Sequence, residues 1–235
     1  MQQRQLLRQI LNAFRPGKVN YCGFFPRERS MANWYERHIL PRLIEAGCGQ
    51  PPMTRLRQRY VPLATGKVLE IGIGSGLNLP HYAPTVQRVI GVDPSAELGE
   101  LARIRAQQAA VEVEVVGLSG ETLPSENASF DSIVCTWTLC TIPDAQQAIA
   151  EMRRVLKPGG QLLFIEHGLS NELSVAKWQR RIEPLWKKIA GGCHLTRKAD
   201  DLLREGGFRI DQIETGYELG PKIAGYMVHG CATPR

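Results

Sequence analysis

Two rhythms of apolar and polar positions run along the chain. From about residue 61 onward, short apolar runs recur at 67–72, 87–93, 112–116, 130–135, 160–166, 208–214 and 223–230. Each has strand length and is rich in branched aliphatic residues. Between most of them, at 95–110, 145–156 and 197–206, the apolar positions fall at helical spacing. Repeated strand–helix units predict a parallel sheet with helices on both faces. Residues 215–222 hold two glycines and a proline and are too short for a helical crossover, so the last two strands are predicted antiparallel. The expected fold class is α/β, with seven strands, mostly parallel with one antiparallel.

The first sixty residues read differently. Leu6, Leu7, Ile10, Leu11 and Phe14 repeat at helical spacing among Arg4, Arg8 and Arg15, which predicts a short basic amphipathic helix ended by Pro16-Gly17. A second helix is expected from Trp34 to about Ala46, interrupted or bent at Pro41. A loop over 47–52 and a basic helical stretch over 55–60 follow. The chain therefore divides into a basic helical extension or cap, 1–60, and a catalytic domain, 61–235. Residues 168–196 carry a helix with Trp178, Ile182, Leu185, Trp186 and Ile189 near one face. That face suits either a cover over a site or a core helix.

Composition narrows the class. Hydrophobic residues make up 43% and charged residues 22%, as in an ordinary globular chain. No apolar run approaches the ~18–20 residues that span a bilayer, and the N-terminus has no secretory-signal pattern, so a cytoplasmic location is expected. The six cysteines are scattered without a CxxC pair, which suits reduced thiols, and no metal site is expected from their spacing. Of the +6 formal charge, the first sixty residues hold eleven Lys/Arg against three Asp/Glu. This basicity is suited to a solvated helical face, or to peripheral contact with a membrane surface. The rest is near charge balance, and no nucleic-acid partner is expected.

Candidate chemistry begins at Val68-Leu69-Glu70-Ile71-Gly72-Ile73-Gly74-Ser75-Gly76, an apolar strand entering a glycine-rich turn. Glycines there admit positive φ and let a ligand approach the backbone. In open α/β sheets, ligands bind beyond the carboxyl ends of the strands, where the strand order reverses. Gly72, Gly74 and Gly76 read GxGxG rather than the GxGxxG of a dinucleotide fold. Glu70, two residues before the first glycine, repels a pyrophosphate but accepts hydrogen bonds from an ammonium group. The second strand ends in Asp93, seventeen residues after Gly76, where a carboxylate can hold both ribose hydroxyls. A ligand with an amino-acid end, a ribose and no phosphate fits this pattern: S-adenosylmethionine (SAM).

Glu121-Thr122-Leu123-Pro124, Ser129-Phe130-Asp131 and Arg154 through Gly160 extend the pattern, and residues 66–167 resemble the class I SAM-dependent methyltransferases. The resemblance implies a Rossmann-like sheet, with Glu70 and Gly72 by the methionine part and Asp93 at the ribose. It places Pro94, Ser95, Ser119, Gly120 and Glu121 around the adenine. That family commonly has an Asp where this chain has Ser119, so Glu121 or backbone groups are expected to substitute.

The fourth strand end, Cys135-Thr136-Trp137-Thr138-Leu139-Cys140, should face the methyl group, with Thr136 a candidate for both cofactor contact and catalysis. His167, following Glu166 at the fifth strand end, is the candidate general base, and His194 a second candidate. Cys135, Cys140 and Cys193 read as buried small hydrophobes. The runs at 135–140, 166–167 and 192–197, with Trp178, Pro184 and Trp186, look like the microsomal alkyl thiol S-methyltransferases. That similarity implies a small apolar thiol acceptor. The alternatives are a lipid headgroup or quinone precursor at a membrane surface, and a SAM-binding protein without turnover.

Overall fold

A computed structural model describes residues 34–35, 37–218 and 220–235. The basic helix expected at 4–15 lies outside the described residues. Seven strands form one sheet: β1 (Gly66–Ile71), β2 (Val86–Val92), β3 (Glu112–Val116), β4 (Phe130–Thr136), β5 (Leu156–His167), β6 (Phe208–Tyr217) and β7 (Tyr226–Pro234). Their order is β3-β2-β1-β4-β5-β7-β6. The first five are parallel, and β7 runs antiparallel to both β5 and β6. The chain steps outward from β1 through β2 to β3, then returns to β4 on the other side of β1. The carboxyl ends of β1 and β4 therefore flank the reversal where a ligand crevice opens.

The strands read as continuous apolar runs because both faces are covered. Leu69, Ile133, Leu162 and Phe164 pack on one face with Ile149 and Met152 of the helix Ala145–Val155 (α4 below). Val68, Val134, Leu163 and Val89 turn to the other face, towards Ala102 of the helix Ala96–Ala106 (α3). Neighbouring residues on one strand point to opposite layers.

Ahead of the sheet lie α1 (Leu40–Cys48) and α2 (Pro51–Tyr60). As expected, the helix is interrupted at Pro41: residues 34–35 and 37–38 are helical, Ile39 is a turn, and Pro41 opens α1 in its first turn. Pro51-Pro52 likewise opens α2, so the expected loop shortens and the helix starts four residues before 55. The reason is that a first-turn N–H has no intrahelical acceptor, so proline loses nothing there. Met53, Leu56 and Tyr60 of α2 bury against Ile165 of β5 and Met227 of β7.

The helix over 168–196 forms as α5 (Leu173–Ile189), followed by α6 (Ala199–Glu205). Its expected apolar face is not core: Trp178 is 53% and Leu185 66% exposed. Instead Gln179 is the buried peg, donating to the carbonyls of Gly168 and Ile223 and accepting from Ser170 N. No helix among the described residues is long and apolar enough to cross a membrane.

Candidate active site

The glycine turn adopts the conformations its sequence calls for. Gly72, Gly74 and Gly76 have φ of +69°, +54° and +81°. A Cβ at Gly72 would fall inside the Thr138 side chain, so this glycine also lets the β4 loop lie against the turn. Asp93 at the end of β2 reaches back to it. Its Oδ2 accepts from Gly74 N at 3.0 Å and its Oδ1 from Ser95 N at 2.8 Å. Burial pushes its pKa up, against the pull of these two N–H donors. Ser95 Oγ accepts from Leu98 N and caps α3.

Glu70 is fully buried beneath the turn. Asn78 Nδ2 donates to its Oε1 at 2.8 Å and to Thr136 Oγ1 at 3.0 Å, and Tyr82 Oη donates to its Oε2 at 2.8 Å. Arg57 of α2 is itself buried, donates through Nε to Asn78 Oδ1 at 3.0 Å, and lies over the Trp137 ring at 4.6 Å. Burial raises the Glu70 pKa to about 7, with Tyr82, Asn78 and Arg57 pulling the other way. Asn78, Tyr82 and Arg57 are site residues that sequence reasoning did not select. Only Asn78 carried a signal, as a polar residue just past the glycine turn.

The turn at 119–121 is internally tied. Ser119 Oγ bonds Glu121 Oε2 at 2.8 Å, and Glu121 Oε1 accepts from Asp144 N at 2.7 Å. The Glu121 carboxylate is thus engaged at the start of α4, which leaves backbone groups as the better stand-in for the family's Asp. Gly120 backs directly onto Ile71, where a Cβ would not fit.

At the acceptor end, Trp137 has a left-handed φ of +51° and donates its N–H to Ile165 O at 2.6 Å. Strain of this kind collects at functional sites. The fully buried Glu166 turns its carboxylate to the following loop: Oε1 accepts from Thr138 N and Leu139 N at 2.9 Å each, and Oε2 from Cys140 N at 3.1 Å. It clamps that loop and is not the partner of His167. The His167 Nδ1 instead faces two sulfurs, 3.8 Å from Cys140 Sγ and 3.6 Å from Cys193 Sγ, and the sulfurs are 3.4 Å apart. The inward nitrogen of His167, the candidate general base, thus faces two thiols. All three cysteines are buried, as expected, but none is isolated: Cys140 and Cys193 meet at His167, and Cys135, packed in the sheet core, donates to Glu166 Oε1 at 3.6 Å. His194 does not join them: its ring pairs with Glu183 at 3.3 Å.

Residues 69–164 match the methyltransferase-domain family. Rat thiol S-methyltransferase TMT1B is 34% identical over 171 residues, covering 68% of this chain and 70% of that enzyme. A SAM-dependent methyltransferase from Aquifex aeolicus superposes with a TM-score of 0.56 at 18% identity, covering 82% of this chain and 97% of that one. The [4+2]-cyclase SpnF superposes at 0.63 and 19%, covering 90% and 98%. Structural likeness at these identities defines a fold, which different reactions share. Sequence similarity narrows it: the chain belongs to the SAM-dependent methyltransferase family that includes TMT1B. SAM is its methyl donor, and the glycine cradle with acids at the ends of β1 and β2 fits that molecule.

Proposed function

We propose that this methyltransferase acts on the sulfur of a small, apolar thiol. The observation that carries the reading is convergence: the runs at 135–140, 166–167 and 192–197, far apart in sequence, supply Cys140, His167 and Cys193 to one cluster beside the β4 and β5 ends. Those same runs carry the likeness to thiol S-methyltransferases. SAM supplies an electrophilic methyl on a sulfonium sulfur. Glu70, with Gly72, Gly74 and Gly76, serves its amino-acid end and Asp93 its ribose, with Pro94, Ser95 and the 119–121 backbone about the adenine. Thr136 shares the Asn78 amide with Glu70 and orients that end. A thiol with pKa near ~8.5 ionises with modest help. The protein's larger task is then to align the thiolate with the methyl carbon and exclude water.

The test is SAM turnover against alkyl thiols, phenols, amines and lipid vesicles, read as S-adenosylhomocysteine. Product with hydrophobic thiols is expected; product only with phenols or amines overturns the thiol reading. The rival acceptor, a lipid headgroup or quinone precursor, is favoured by exposed Leu173, Trp178 and Leu185 on a helix that also carries Lys177, Arg180 and Arg181. Turnover confined to vesicles would select it. Tight SAM binding with no product from any acceptor would leave a binding protein.

A further inference from the structure

Cys140, His167 and Cys193 form a triangle whose edges are 3.4, 3.6 and 3.8 Å. Among the described residues, this is the grouping of His, Cys, Asp and Glu whose ligand atoms all lie within 4.8 Å of one another. A tetrahedral zinc with Zn–S of about 2.3 Å and Zn–N of about 2.0–2.1 Å separates its ligand atoms by about 3.5–3.8 Å. The two S–N edges, 3.6 and 3.8 Å, lie at that spacing, and the S–S edge, 3.4 Å, needs to open by only a few tenths of an ångström to take the ion. We infer that these three side chains are a binding site for a thiophilic divalent cation, zinc foremost, with the fourth coordination position open.

The surroundings are those of a held ligand set. Cys140 is fixed by the Glu166 clamp on its own N–H, and its carbonyl accepts from His194 N at 2.8 Å, which brings Cys193 alongside. Arg197 Nη1 donates to the carbonyls of Leu139 and Ile142, closing the same loop from outside. Gly191 and Gly192, with φ of +61° and +92°, make the turn that returns the chain from α5 to Cys193. The Trp186 indole N–H is buried with no hydrogen-bond partner among the described residues.

Two thiolates and one neutral imidazole leave a zinc ion neutral and three-coordinate in protein ligands, the pattern of catalytic rather than structural sites. On the thiol reading above, the open position takes the acceptor: its S–H proton goes to solvent and its sulfur binds as thiolate. That sulfur's electron pair then forms the bond to the methyl carbon while the sulfonium C–S bond breaks towards the donor sulfur. The neutral thioether that results is a poorer ligand and leaves.

The binding claim is testable without an acceptor. The full chain, purified under reducing conditions with zinc supplied and then desalted, should retain about one equivalent of zinc. Replacement by cobalt should give thiolate-to-cobalt charge-transfer bands. Cys140→Ser, Cys193→Ser and His167→Ala should each weaken zinc binding by more than the ~10–100-fold that loss of an outer-shell partner costs. Cys48→Ser and Cys231→Ser should retain the metal. SAM binding by each variant reports whether it is folded, and the cobalt spectrum of the unaltered chain does not depend on any variant. Substoichiometric zinc without cobalt–thiolate bands overturns the site, as does a Cys140–Cys193 disulfide in place of metal, or zinc retained by the triple variant. Zinc bound with no thiol turnover refutes the acceptor reading and leaves the site standing. Thiol turnover by metal-free protein removes zinc from the reaction and leaves the acceptor reading standing.

Discussion

Glu70→Gln should make the ligand-free protein more stable at neutral pH while it impairs SAM binding. Glu70 is enclosed by Asn78, Tyr82 and the glycine turn, and burial moves its pKa from the ordinary 4.5 to about 7. A carboxyl raised in the native state is one whose ionisation opposes folding. Between the two values the native protein keeps a proton that the unfolded chain releases, so stability falls as pH rises from about 4.5 to about 7, and the full cost stays in place above that. The displacement of about 2.5 units corresponds to about 3 kcal/mol. Glutamine is nearly isosteric, never ionises, and still offers Asn78 an acceptor. Urea unfolding of both proteins at pH 4.5 to 8.5, followed by tryptophan fluorescence, measures the difference. The stability of wild type relative to the variant should decline by up to about 3 kcal/mol across that range, then level off. Parallel profiles for the two proteins would refute the burial argument. SAM's ammonium group favours the ionised carboxylate, so wild-type affinity should rise with pH up to about 7 and the variant's should not.

Other substitutions probe the remaining parts of the site. Asp93→Ala removes the acceptor placed at the ribose, and isothermal titration should show SAM affinity falling at least about tenfold, since a hydrogen bond to a charged group is worth about 1.5–3 kcal/mol; unchanged affinity would remove Asp93 from the cofactor site. Gly72→Ala meets both the Thr138 side chain and a φ of +69°, so it should lower stability by about 1–2 kcal/mol from backbone strain alone and abolish SAM binding; a melting temperature equal to wild type would contradict this. Glu166→Gln leaves one amide oxygen where two carboxylate oxygens accept three N–H groups, and thermal unfolding should show a loss of about 1–3 kcal/mol.

The sheet was legible in the chain because its strands are buried on both faces and so appear as unbroken apolar runs. The positive-φ glycine turn and the place of Asp93 just past β2 were legible because they depend on backbone conformation and strand ends, which local spacing encodes. Proline misled at 51–52, since the same residue breaks a helix interior and opens a first turn. Arg57 looked like one charge in a basic stretch, yet it is buried on Asn78 and Trp137; no local pattern separates it from its solvated neighbours Arg55 and Arg59. The sulfur–imidazole cluster was hidden by distance: Cys140, His167 and Cys193 come from the ends of β4 and β5 and from a turn after α5. Metal-site reading from sequence relies on short spacings such as CxxC, and a site assembled by a sheet's carboxyl edge has none.

The loop after β4 ties the two halves of the site together. Trp137 is held by Ile165 O from β5, by Arg57 across its ring and by Met227 Sδ against its indole N–H. Thr138 then lies over Gly72 in the cofactor cradle, while two residues later Cys140 enters the sulfur cluster. Glu166 holds the N–H groups of Thr138, Leu139 and Cys140, and Arg197 holds the carbonyls of Leu139 and Ile142. A loop pinned by both its donors and its acceptors has little freedom to shift one end without the other. In-line displacement places a strict demand on the line joining nucleophile, methyl carbon and leaving sulfur, and small misplacements cost large factors in rate. On the proposed function, joining the cradle to the sulfur cluster through one turn with a left-handed residue and held N–H groups meets that demand with backbone rather than with mobile side chains.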